Sequence, residues 1–360
     1  MAMNIDGIER MEQGVPESSS PKETHKRNVQ WWLIALNCTL TGIGTICGPL
    51  LLRLYYLHGG SRKWLTSSLQ TAGFPILLIP LSIVYMRDRA RGMQFLLEPK
   101  LFISSVVIGL LMGLDNYMYS MGSSFLPVST SSLLFATQLV FTAFFALIIV
   151  KQKFTAYTIN AVVLMTLGSV LLGIRKSGDR PANVTNGEYL LGFIVTLGAA
   201  ALLGFAYPCT ELSYAKARKA ITYPVVMQFQ FFTTLSATIF CATGMIINKD
   251  FLAISREAAE YELGAAKYYV VLVGIAAGFQ MIFMGTLGLV FCISSLFAGI
   301  LSATLLPFTE IAGVIFFKEK FTGEKGMALA LCLWGFTSYF YGSYKLNKKQ
   351  AAQEEEEESK

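Results

Sequence analysis

Two stretches of this 360-residue chain end alike after the same kind of run. Val128 to Phe154 reads VSTSSLLFATQLVFTAFFALIIVKQKF, and Cys292 to Phe321 reads CISSLFAGILSATLLPFTEIAGVIFFKEKF. A shift of 167 positions carries K-x-K-F-T at Lys151–Thr155 onto K-x-K-F-T at Lys318–Thr322, and Gly168 onto Gly335. A chain that contains one unit twice folds as two related halves. Both copies are long and apolar enough to cross a hydrocarbon layer of about 30 Å, which takes roughly 20 residues of helix.

Composition extends that rule to the whole chain. It is 54% hydrophobic and 14% charged, and its mean hydropathy is positive. Ten apolar runs lie at 31–52, 66–86, 101–121, 127–150, 155–174, 189–211, 222–247, 268–290, 292–317 and 325–345. Helices are the expected form, because each closes its own backbone hydrogen bonds in lipid. A barrel would alternate over segments of about ten residues, and that pattern is absent. The repeat links runs 4 and 5 to runs 9 and 10, so each half has five spans. An odd number turns the second half upside down. The expected fold is therefore an all-α membrane protein of ten transmembrane helices in two inverted five-helix repeats, an architecture that places substrate near the midplane between the halves. A weaker rhyme sets Gly48-Pro49 against Tyr207-Pro208.

The domain plan follows. Residues 1–30 are polar and expected to form a disordered cytoplasmic tail. Residues 31–345 form the transporter domain, split into 31–174 and 189–345, and 346–360 end in the acidic run AAQEEEEESK. Loops that fall inside when the N-terminus is inside carry a slight excess of Lys and Arg, which points to both termini cytoplasmic. The sequon at Asn183 would then lie outside. The six cysteines fall within runs and read as packing thiols. A net charge of +6 without a basic, aromatic-studded stripe suggests no nucleic acid.

Few polar side chains sit inside the runs, and they are the candidates for function. Asp115, Glu211 and Glu310 are the acids. Glu211 reads as interfacial. Glu310 sits deepest in its run, on a stripe of Ser295, Gly299, Ser302, Leu306 and Gly313. Glu310 and Asp115 are the proton-coupling candidates, with structural hydrogen bonding as the competing role. An ionised carboxylate at mid-bilayer costs about 2.5–3.5 kcal/mol on insertion scales. Apart from Lys325 and Lys345 at the two ends of the last run, no Lys or Arg lies within an expected span, which argues for a neutral or weakly basic substrate. Asn116, Tyr117, Tyr119, Phe135, Gln138, Ser295 and Glu310 are the substrate-binding candidates. Amides offer a donor and an acceptor to a heterocycle's edge, and aromatic faces stack on bases for about 1–3 kcal/mol each. For each of these, ordinary packing is the alternative. Gln228 and Gln230 are weaker candidates. In 268–290, Gly274, Gly278, Gly285 and Gly288 form a stripe that suits close helix contact. Only His25 and His58 are histidines. With no phosphate-cradling loop, metal motif or nucleophile elbow, no catalytic residue, metal or cofactor is expected, and an enzyme is disfavoured.

Four segments carry a resemblance: Gly48–Leu81, Leu114–Thr155, Ser294–Gly326 and LWGFTSYFYGSYK at Leu333–Lys345. Together they resemble the plant purine permease family of the drug/metabolite transporter superfamily, over nearly all of 30–345. L-P-x-T-E, ending in Glu310, looks like the subgroup that carries adenine and cytokinins. The resemblance implies a ten-helix fold, proton-driven uptake of adenine, cytokinins and related purines such as caffeine, and a plant plasma membrane. The expected partners are the purine or cytokinin substrate, protons and lipid. The alternative is a passive facilitator or channel for small neutral heteroaromatic compounds. Oligomeric state is left open.

Overall fold

The computed structural model describes residues 21–89, 97–135, 137–151, 154–173, 184–217, 221–318, 321 and 323–358. Among the described residues, every regular element is helical. In chain order these are α1 (Pro21–Leu57), α2 (Lys63–Ala72), a 3-10 turn (Phe74–Leu77), α3 (Leu78–Arg89), α4 (Pro99–Phe125), α5 (Val128–Phe135) and α6 (Gln138–Phe145). A π turn (Ala146–Val150) extends α6, and α7 (Ala156–Gly173), α8 (Asn186–Ala215), α9 (Tyr223–Ile247), α10 (Asp250–Glu260), α11 (Ala265–Cys292), α12 (Ser295–Phe317) and α13 (Gly323–Glu358) follow. Among the described residues, six stretches are long and apolar enough to cross a membrane: Trp31–Leu57, Lys63–Met86, Pro99–Phe125, Asn186–Ala215, Tyr223–Ile247 and Ala265–Cys292. Gln138–Val150, Ala156–Gly168 and Ser295–Leu305 are shorter apolar stretches. Large apolar side chains such as Val270, Val273, Ile246 and Ile247 face outward, while Gln280, Thr286 and Thr233 are buried. Apolar outside and polar inside is the pattern of an integral, multi-pass membrane protein.

Each of the ten apolar runs contains helix, and the differences lie at breaks and ends. Span 2 breaks at Gly73, where a Cβ would meet the Ala276 carbonyl oxygen at 2.6 Å, and Pro75 follows inside the 3-10 turn. Span 4 tightens at Thr137, whose N–H bonds back to the Leu134 carbonyl. α1 reaches back to Pro21, and α13 continues through the acidic run to Glu358, because Ala, Gln, Glu and Lys are strong helix formers. Residues 1–20 and the sequon at Asn183 lie outside the described residues. α10 is an element the apolar pattern does not predict. α8 begins with a capping box between Thr185 and Glu188.

Helix pairs that the sequence repeat relates pack in matched ways. α1 lies on α11 as α4 lies on α8, α2 on α11 as α4 on α9, and α12 on α1 as α6 on α8. α7 and α13, the helices that follow the K-x-K-F-T repeats, lie on each other. A Cβ at Gly168 would meet the Ala328 carbonyl oxygen at 3.2 Å and Leu331, and one at Gly335 would meet the Ala161 carbonyl oxygen at 3.0 Å and Leu164. Ala161 and Leu164 stand 167 positions before Ala328 and Leu331. Contacts are thus exchanged reciprocally, as across a two-fold axis. They run antiparallel, since the later residue of α7 meets the earlier residue of α13. Lys151 and Lys318, the equivalent residues that open the two repeats, both adopt the left-handed conformation, at φ 56° and 52°, uncommon outside glycine. The weaker rhyme also has a counterpart: Pro49 and Pro208 are both inside helices. Pro49 lacks the N–H that would bond to the carbonyl four residues back. That carbonyl, on Thr45, accepts instead from Thr309 Oγ1 of α12 at 2.9 Å, a buried bond. The glycine stripe of α11 serves as packing: Gly274 meets Leu51, Gly278 meets Gly48, and Gly285 and Gly288 meet Thr41 and Asn37, all on α1.

Candidate functional site

A polar cluster forms where α4, α5, α6, α8, α11 and α12 converge. α4 contributes Asp115, Asn116 and Tyr119, all buried. Tyr119 faces Ser123 of its own helix and Ser131 of α5, and lies within electrostatic range of Asp115. Tyr207 of α8 faces Gln138 of α6, Thr286 of α11 and Ser302 of α12, also within range of Asp115. Phe135 closes one side, its ring edge-on to Tyr119 at 4.9 Å, and Phe279 of α11 stands edge-on to Tyr119 at 6.1 Å. Gln70 of α2 fixes the back of α4 by donating to the Asn116 carbonyl at 3.2 Å and to Ser120 Oγ at 2.7 Å.

What sets the cluster apart is the number of polar atoms without a partner. Asp115 Oδ1, Asn116 Nδ2, Ser123 Oγ, Ser131 Oγ, Gln138 Nε2 and Ser302 Oγ are buried with no hydrogen-bond partner among the described residues. Gln280 of α11, whose side chain packs against Gly73, has neither amide atom satisfied, and Gln230 of α9 lacks a partner for Nε2. Buried polar groups in proteins are nearly always paired, so such a concentration calls for a ligand, water or ion. Asp115 forms no salt bridge among the described residues.

Of the residues singled out by sequence, the structure brings together Asp115, Tyr119, Phe135 and Gln138, and Asn116 follows Asp115 on α4 with its side chain buried. Tyr117 does not join them: its ring stacks on Trp64 with centroids 3.9 Å apart, on the other side of α4. Ser295 is elsewhere too. It is the first residue of α12, about 10 Å along the helix from Ser302, and its N–H donates to Glu211 Oε2 at 2.8 Å. Glu211, expected to be merely interfacial, thus caps α12, where the helix dipole favours an anion. Glu310 lies on α12, but its side chain is outside the described residues. Gln228 lies away from the cluster, in a hollow of about 620 Å³ between α3, α4 and α9 whose walls are mostly apolar, Leu81, Phe102 and Phe231 among them.

One expectation is corrected outright. The first span was expected to end at residue 52, leaving no cation inside a span. α1 continues to Leu57, so Arg53 lies within it, and its side chain is only 8% exposed. Arg53 lines a cavity of about 10 Å³ with Pro49, Tyr119, Ser123, Leu126 and Ser131, room for about one water. The argument that an absent cation implies a neutral substrate fails at its premise. A single Arg inside LLRLYYL is easily lost at the edge of an apolar window.

A second polar assembly sits at the end of the bundle where α1 stops and α11 starts. Arg62 reaches Asp250 Oδ1 and Glu257 Oε2, each at 3.4 Å. Glu257 also accepts from the Tyr55 hydroxyl, the Tyr268 hydroxyl at 3.3 Å and Ser61 Oγ at 3.3 Å. Asn248 donates to Asp250 at 2.8 Å. This network binds α10 across the bundle end, and partners almost 200 residues apart leave no local signal in sequence.

The family profile described as purine nucleobase transmembrane transport matches residues 32–349. Purine permease 3 of Arabidopsis thaliana is 45% identical over 335 residues, covering 91% of this chain and 95% of the relative. Purine permease 2 of Arabidopsis thaliana is 46% identical over 339 residues, covering 89% and 95%, and purine permease 21 is 35% identical over 331 residues, covering 91% and 84%. Members of this family are transporters, not enzymes. With a family profile along nearly its whole span-bearing length and relatives matched almost end to end, this chain belongs to the purine permease family of multi-pass membrane transporters.

Proposed function

We propose that the protein is a proton-coupled carrier of purine nucleobases and derivatives, adenine and cytokinins among them with caffeine-like alkaloids as further cargo. Its ten spans form two inverted halves, with both termini cytoplasmic, in the plasma membrane. The observation that carries this reading is the cluster of unpartnered amides, hydroxyls and one carboxyl between the halves. A heterocycle with donors and acceptors around a flat ring is the ligand that such a lining would satisfy: Asn116 and Gln138 at its edge, Tyr119 and Phe135 against its faces. The relatives named as purine permeases support the substrate class. The exchanged contacts of α7 and α13 support the inversion. Two broken spans beside the cluster fit the discontinuous helices of secondary transporters.

Asp115 is the coupling group best supported by its surroundings. Its carboxyl is buried and forms no salt bridge among the described residues, so its ionised form is costly there and gaining or losing a proton changes what the surrounding helices must solvate. Glu310 stays a proposed second acid. The test is uptake of labelled adenine by cells expressing the protein, with the proton gradient intact and then dissipated. Accumulation that collapses with the gradient is the expected result. Accumulation that persists overturns coupling, and equilibration without accumulation identifies a passive facilitator.

A further inference from the structure

We infer that Gln280 of α11 reads an edge of the substrate on which an N–H stands beside a ring nitrogen, so that the favoured cargo is heterocycles with a paired donor and acceptor rather than flat aromatics in general. The inference rests on the carrier reading and deepens it. Gln280 is only 1% exposed, and its Nε2 and Oε1 both lack a partner among the described residues. Its stem packs on the break in span 2. A Cβ at Gly73 would meet Gln280 Cβ and the Ala276 carbonyl oxygen, each at 2.6 Å, so a residue larger than glycine would push α11 away. Two more helices arrive at the turn of α2 just before this break. Gln70 bonds to the Asn116 carbonyl and to Ser120 Oγ of α4. Thr71 Oγ1 is hydrogen-bonded to Thr238 Oγ1 of α9 at 2.9 Å. Gln280 and Asn116 therefore belong to helices that meet the same end of α2, and each has an unpartnered amide nitrogen. Interrupted helices of this kind form substrate sites in secondary transporters.

The chemistry of the carboxamide decides what fits. It presents an acceptor and an N–H donor side by side in one plane. Its match is an edge carrying the same pair reversed. Glutamine reads the N6–H and N7 of adenine in DNA in this way, with roughly 5- to 150-fold discrimination per bidentate contact. Adenine has three such edges: N6–H beside N1, N6–H beside N7, and N9–H beside N3. An adenine substituted once on N6 keeps one N6–H and stays within the class. Caffeine has acceptors but no N–H, so it satisfies half of the amide and is the poorer cargo. Since neither amide atom is bonded within the protein, the side chain can present its pair either way round. In the conformation described both atoms are enclosed, so a substrate enters only when the helices around the break part.

The test uses the full-length chain in cells without purine uptake of their own, with initial-rate kinetics for adenine and for analogues that each lack one group. The 1-deaza, 3-deaza and 7-deaza adenines remove one acceptor each; 6-methylpurine and 9-methyladenine remove a donor. In the wild type, at least one deaza analogue should show a KM about 10-fold or more above that of adenine. The analogue lacking the neighbouring N–H should lose about as much: 6-methylpurine if N1 or N7 matters, 9-methyladenine if N3 does. Gln280→Met, close in size, should raise the adenine KM by about 10- to 100-fold and leave those two analogues within about 3-fold of their wild-type KM, so that discrimination collapses. Gln280→Asn keeps the amide and should restore part of it. If the wild type carries all three deaza analogues as well as adenine, or if an acceptor matters and its neighbouring donor does not, the inference is overturned without any variant. If Gln280→Met lowers uptake of every compound with the discrimination ratios unchanged, Gln280 is structural and the inference is overturned. If Gln280→Met does not reach the membrane, Gln280→Asn decides: weakened discrimination for that same pair of analogues supports the inference, and wild-type ratios, or absence from the membrane as well, overturn it. A wild type that carries no purine overturns the carrier reading first, and this inference with it.

Discussion

The bundle holds two polar assemblies with opposite habits. At the end where α10 lies, each carboxylate finds partners, although Asp250 Oδ2 and Arg62 Nε make no hydrogen bond among the described residues: Glu257 meets Arg62, Ser61, Tyr55 and Tyr268, and Asp250 meets Arg62 and Asn248. In the central cluster, Asp115, Asn116, Gln138 and Ser302 each keep a polar atom with no partner among the described residues. The first arrangement spends its polar groups on holding helices together. The second holds them in reserve. The contrast separates residues that stabilise from residues that act, and it predicts which measurement each substitution will move.

The largest effect should come from the paired end. Glu257→Ala leaves Arg62 with Asp250 alone and strands the hydroxyl protons of Tyr55 and Tyr268. It should destabilise the protein by about 3–5 kcal/mol, the usual loss when one partner of a buried ion pair is removed, seen as a lower melting temperature in detergent, with the KM for adenine unchanged in whatever folds. A shifted KM at full stability would erase the distinction. Asp115→Asn should do the reverse. Gradient-driven accumulation should fall by about 10-fold or more, adenine exchange between the two sides should persist, and the melting temperature should hold. Asn116→Ala and Gln138→Ala come next, each raising the KM by about 5- to 10-fold for a lost hydrogen bond. Either should cost less stability than Glu257→Ala, because neither deleted nitrogen has a partner among the described residues to strand. A drop as large as that of Glu257→Ala would show that the reserve is an illusion of one conformation. Thr309→Val, which loses the bond to the Thr45 carbonyl, should cost about 1 kcal/mol in the same melting assay. Smallest of all, Tyr117→Phe keeps the ring on Trp64 and should leave uptake within about 2-fold.

The sequence revealed what repeats locally and concealed what depends on distance. The apolar runs and the K-x-K-F-T duplication foreshadow the helices and the exchanged contacts of α7 and α13. The unpartnered members of the site could be sought as rare polar residues within runs, which is how Asp115, Asn116 and Gln138 were found. A helical stripe fixes a face but not a depth, so Ser295 shared a stripe with Ser302 yet lies at the opposite end of the cluster's reach. Tyr117 and Tyr119 differ by two positions, about 200° around a helix, and fall on different sides. Arg53 was hidden by the edge of an apolar window. Gln280 and Tyr207 gave no signal beyond being polar, because what matters is which neighbours they fail to bond.

The Thr45 carbonyl shows how a carrier could change shape without tearing its backbone. Helix α1 arrives at Pro49 already one bond short, and the substitute comes from Thr309 of α12. If α12 draws away from α1, a single hydroxyl must let go, and water entering the widened gap can take its place. The joint therefore sits where solvent would first arrive, and opening the path and freeing the hinge become one event.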